Sequence, residues 1–81
     1  MSLTAKSERR ARRYATLMEP GRYYSSRQLY ELACSNLSAN YQPKHTNAVS
    51  GVLGWAYRNG HMVRQGSPGR YRYALPIEVT A

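Results

Sequence analysis

The stretch Asn47-Ala48-Val49-Ser50-Gly51-Val52-Leu53-Gly54-Trp55-Ala56-Tyr57-Arg58-Asn59-Gly60-His61-Met62-Val63-Arg64 holds a helix, its stop signal and the opening of a strand. Val49, Val52, Leu53 and Ala56 recur at the helical period, which places them on one buried face. Thr46, just ahead of them, is expected as the N-cap, because its hydroxyl can accept from the first unsatisfied backbone N–H groups. Gly60 is expected to end the helix in the left-handed conformation that a Cβ disfavours. The reading is a helix over 46–59. On a helical wheel its opposite face holds Asn47, Gly51, Gly54 and Arg58, flanked by Ser50 and Trp55.

Toward the C-terminus, His61-Met62-Val63-Arg64-Gln65 has strand character, and Gly66-Ser67-Pro68-Gly69 is a turn by composition. Arg70-Tyr71-Arg72-Tyr73-Ala74-Leu75 then alternates, with Arg70 and Arg72 on one side and Tyr71, Tyr73 and Leu75 on the other. Together they predict a β-hairpin, ended by Pro76. Toward the N-terminus, residues 38–45 read as a polar loop, longer than a minimal helix-turn-helix turn. Before it, Ser25 and Gln28 form the S-x-x-Q pattern of a capping box. The helix they start carries Leu29, Leu32, Ala33, Asn36 and Leu37 on one face and Arg27, Glu31 and Ser35 on the other. Residues 22–25 read as extended. A first helix is expected over 5–19, with Ser7, Ala11, Tyr14, Ala15 and Met18 inward, stopped by Pro20-Gly21. Residues 1–4 are expected to be disordered, 5–75 to form one domain and 76–81 to trail as a tail.

With 81 residues there is room for one modest core and little room for a catalytic cleft. Twelve Lys and Arg against four acids give a formal charge of +8, which favours a polyanionic partner through counterion release. Ten of the twelve cations are arginine, whose planar fork matches phosphate and guanine. The acids, Glu8, Glu19, Glu31 and Glu78, are scattered, and the two histidines flank one helix. Cys34 has no second cysteine for a disulfide or a zinc pair. Neither an enzyme nor a cofactor or metal site is expected. No apolar run reaches membrane-spanning length and no apolar leader is present, so the expectation is a cytoplasmic protein without a membrane partner.

Element order and apolar spacing over residues 5–75, most clearly in the stretch quoted above, resemble a winged helix-turn-helix domain. The resemblance implies an α+β fold: three helices and a C-terminal β-hairpin wing. It implies double-stranded DNA as partner and a transcriptional regulator of bacterial or phage type, nucleoid-associated in a bacterium. Helix 46–59 would then enter the major groove, with Asn47 and Ser50 near base edges. Thr46, Gly51, Gly54 and Arg58 share that surface. Two interior glycines cost roughly 1 kcal/mol each relative to alanine, so their bare backbone suggests close approach to DNA or another helix. Arg64, Arg70 and Arg72 of the wing at 61–75 would grip phosphates, and Lys44 and His45 could add to them at the helix start.

Arg9, Arg10, Arg12 and Arg13 crowd the N-terminal half of a helix, against its dipole. They are either phosphate contacts, with Arg27, or a solvated face relieved by a Glu8–Arg12 pair. Other readings are an RNA-binding module, with tyrosines stacking on bases, or a winged helix used as a protein-interaction module through Trp55. A homodimer or a second protein partner fits either DNA or protein binding. A membrane-surface role for the first helix is poorly served by its small apolar residues.

Overall fold

Three helices and a three-stranded antiparallel sheet share one core in the computed structural model, which describes the backbone of residues 3–77 and side chains from Lys6 onward. In chain order these are α1 (Leu3–Ala15), β1 (Tyr24–Ser25), α2 (Ser26–Asn36), α3 (Thr46–Arg58), β2 (Val63–Gln65) and β3 (Arg72–Ala74), with one 3-10 turn at Ala39–Tyr41. Residues 78–81 of the expected tail, and Met1 and Ser2, lie outside the described residues.

Local signals set the helix ends. Gln28 N–H donates to Ser25 Oγ at 3.1 Å and Ser25 N–H to Gln28 Oε1 at 2.8 Å, the reciprocal capping box expected there. Gly60 has φ +79°; its N–H donates to Tyr57 O and that of His61 to Ala56 O, the paired bonds of a Schellman ending. The apolar contact that accompanies such endings is the Trp55–His61 stack, with ring centroids 5.4 Å apart.

Several expectations need correcting. α1 starts at Leu3, inside the segment expected to be disordered, and ends at Ala15 rather than at residue 19. Thr16 Oγ1 donates to Arg13 O, and Leu17 and Met18 bond three residues back, which tightens the chain out of the α-helix ahead of Pro20. The N-cap of α3 is His45, with no side-chain cap, and Thr46 is already helical. Only residues 72–74 of the alternating run form a strand. Arg70 sits in a turn, its N–H donating to Ser67 O at 2.8 Å, with Pro68 and a positive-φ Gly69 between them as in a type II turn.

The core is built where the period predicts, except that Asn36 is exposed and its side-chain amide donates back to Leu32 O at 2.8 Å. Leu29 and Ala33 of α2 meet Val49, Val52, Leu53 and Ala56 of α3, and Ala11, Tyr14 and Met18 close over them from the α1 side. Leu29, Leu53 and Val49 are wholly buried, each contributing roughly 1.5–3 kcal/mol of apolar transfer. The sheet order is β1-β3-β2, so β1 joins the hairpin as a third strand, with Tyr24 opposite Tyr73 and Arg64 also opposite Tyr73. Buried Tyr24 keeps its polar tip satisfied by accepting from Glu19 N–H at 3.0 Å. No described helix is long and apolar enough to cross a membrane.

Candidate functional site

The N-terminal half of α3 stands between two grooves. On one flank, α3 faces the start of α2 and the hairpin, and Thr46, Ser50, Arg27, Arg70 and Arg72 line the cleft. On the other, α3 faces α1 and the segment that follows the 3-10 turn. That cleft is lined by Lys6, Arg9, Arg10, Arg13, Lys44 and His45, with Tyr14, Tyr41 and Ala48 in its walls. Asn47 and Gly51 lie exposed on the ridge between them, opposite the buried Val49–Val52–Leu53–Ala56 face. No hydrogen bond holds the Asn47 side chain among the described residues.

Among the described residues, no acid lines either groove. The three described glutamates pair with arginines three or four residues on or back: Glu8 with Arg12 at 2.7 Å, Glu31 with Arg27 at 3.6 Å and Glu19 with Arg22 at 3.8 Å. These pairs are exposed and contribute little stability; the Glu31 carboxylate lies against Arg27, at the edge of the hairpin-side groove. The Glu8–Arg12 pair is the one its spacing predicted, and it keeps Arg12 out of the cationic cleft. Groups arranged in this way can hold anionic oxygens on both sides of a projecting helix.

Not every expected residue faces outward. Ser50 donates its hydroxyl to Ser26 Oγ at 2.7 Å, joining α3 to α2. Gly54, expected on the exposed face, is buried: a Cβ there would lie 3.2 Å from Arg58 Nη1, so the exposed Arg58 side chain folds back over it. Gly51 is open, with nothing within 4 Å of a Cβ built on it. Trp55, half-buried, packs against the core and His61.

Arg64 has a different environment from Arg70 and Arg72. Its guanidinium carbon lies 3.8 Å from the Tyr71 ring centroid and 3.9 Å from that of Tyr57. Tyr73, its cross-strand partner, and to a lesser degree Tyr71 and Tyr57 raise its pKa above the ordinary value. A second such contact puts Arg13 over Tyr41 at 4.1 Å. Burial raises the Tyr14 pKa, against the opposing charges of Arg10 and Arg13.

The sequence gives no signal for these tyrosine–arginine contacts or for the Ser26–Ser50 bond, because each joins residues from different elements. Among the described residues no three His, Cys, Asp or Glu side chains gather as metal ligands. No family model, no curated protein and no solved structure matches this chain.

Proposed function

We propose that this chain is a small winged-helix protein that binds double-stranded DNA and acts by binding rather than by catalysis, as a transcriptional regulator of bacterial or phage type in the cytoplasm. In this reading α3 enters the major groove, Asn47 reads a base edge, and the β2–β3 hairpin is the wing, with Arg70 and Arg72 on phosphates. The observation that carries it is the exposed Asn47–Gly51 ridge flanked by two grooves lined by cations. A helix in a major groove has a phosphate backbone on each side, and this charge arrangement suits it. The bare Gly51 backbone lets the ridge approach bases closely.

Selection from a random duplex library at near-physiological salt tests the proposal. The expected result is a winning duplex that outcompetes bulk DNA, with affinity falling steeply as salt rises. A palindromic winner indicates a homodimer. Preference for single-stranded RNA, or salt-insensitive binding to neither nucleic acid, overturns it.

A further inference from the structure

We propose that the groove between α1 and the segment leading into α3 is a second phosphate-binding track, so that duplex DNA is gripped on both flanks of α3 and not by the hairpin alone. This inference rests on the duplex-binding reading and assigns the groove one strand's backbone, leaving the other strand to Arg27, Arg70 and Arg72.

Charge is the first argument. Lys6, Arg10 and Arg13 from α1 meet Lys44 from the loop, and among the described residues no acid lines the groove. Cations brought together from segments some thirty residues apart repel one another, and an anion between them relieves that repulsion. α1 begins at Leu3, so the arginines expected in its N-terminal half lie in its middle and last turn, where the dipole does not oppose them; only Lys6 stands in the first turn, with no acid there to offset it.

Shape is the second. The cleft encloses about 740 Å³, room for a run of backbone rather than one ion. Its walls are already joined, because Arg13 stacks on Tyr41 at 4.1 Å and ties α1 to the 3-10 turn. A preformed cleft costs less ordering entropy on binding.

Position is the third. The groove meets the start of α3 at His45 and Ala48, where no side chain caps the helix. Ala48 N–H already donates to His45 O, so the N–H groups free to favour phosphate at this helix start are those of Thr46 and Asn47. On the wheel, Ala48 lies across the Asn47–Gly51 ridge from Thr46 and Ser50, which face the hairpin groove. The two cationic walls therefore sit on opposite sides of the same helix, as the two backbones bordering a major groove require.

The test compares salt dependence of binding to a mixed-sequence duplex for the intact chain, Arg10→Ala/Lys44→Ala, Arg70→Ala/Arg72→Ala and the quadruple variant. Each double variant is expected to lower the slope of log K against log salt by about 2, and the quadruple by about 4, at roughly 0.9 per phosphate contact. Hydroxyl-radical footprints should show the two doubles losing protection on different strands. Arg10→Lys/Lys44→Arg keeps the charge and should keep the slope, and unchanged thermal unfolding shows that each variant is folded. If Arg10→Ala/Lys44→Ala leaves slope and footprint unchanged while Arg70→Ala/Arg72→Ala reduces both, the second track is overturned and duplex binding stands. If the intact chain shows no salt-dependent duplex binding, both fall together.

Discussion

The Arg64 guanidinium carbon lies 3.8 Å from the centroid of the Tyr71 ring, and Arg64 also lies over Tyr57 of α3. One side chain therefore ties β2 to the end of the hairpin loop and to the helix before it. A planar cation over aromatic rings gains from the ring quadrupole, and arginine fits better than a point-charged lysine. The role that follows is to fix the angle between hairpin and α3, which differs from the phosphate contact expected of Arg64 from its strand position.

Arg64→Ala should accordingly lower the unfolding midpoint by several degrees and speed amide exchange in β2 and β3. Arg64→Lys should recover only part of that loss. Duplex binding should weaken without the unit change in salt slope that a lost phosphate contact produces. A full unit loss of slope at unchanged stability would return Arg64 to the phosphate-binding set.

Gly51→Ala should stabilise the fold by about 0.5–1 kcal/mol, since the added Cβ meets open space in a helix interior. The same change should weaken duplex binding by occupying the ridge that approaches bases. Thermal unfolding and a binding isotherm on one preparation check both signs. Unchanged affinity would remove Gly51 from the interface. Gly54→Ala should gain less, because its Cβ must displace the Arg58 tip.

Asn47→Ala should leave stability nearly unchanged, because the side chain is exposed and holds no internal hydrogen bond. Affinity for a selected site should fall by about 1–3 kcal/mol while non-specific binding changes little. Competition against bulk DNA separates the two, and an equal loss on both would assign Asn47 to the backbone.

Leu53→Ala should cost about 2–5 kcal/mol, because the side chain is wholly buried where α3 meets the core. In a domain of this size that is a large share of total stability, so urea unfolding should shift far toward lower concentration. A loss under about 1 kcal/mol would mean that the site collapses around the smaller side chain.

Gly66→Ala probes the hairpin loop. Its Cβ would stand 2.6 Å from the backbone oxygen of Arg70, at φ +101°. The three atoms it would meet, Arg70 O, Arg70 C and Tyr71 Cα, are all backbone, so the turn must rearrange and the β2–β3 register should weaken. Loss of cross-strand nuclear Overhauser contacts between Arg64 and Tyr73 measures it; their retention would show that the loop absorbs the change.

Much of this protein was written in local sequence. The capping box at Ser25 and Gln28, the Gly60 stop and the Val49–Val52–Leu53–Ala56 face depend on residues within one turn or two of each other, so spacing alone determined them. The charge excess was likewise a property of composition. Tertiary structure decided what local spacing cannot encode. It brought Lys44 beside the α1 arginines, recruited Tyr24–Ser25 as a third strand on β3, turned Ser50 onto Ser26 and set Arg64 among three tyrosines. It also covered Gly54, which the wheel had placed outside, because a wheel counts angles and not the reach of the arginine four residues on. Periodicity says which face a residue occupies; only packing between distant segments says what that face meets.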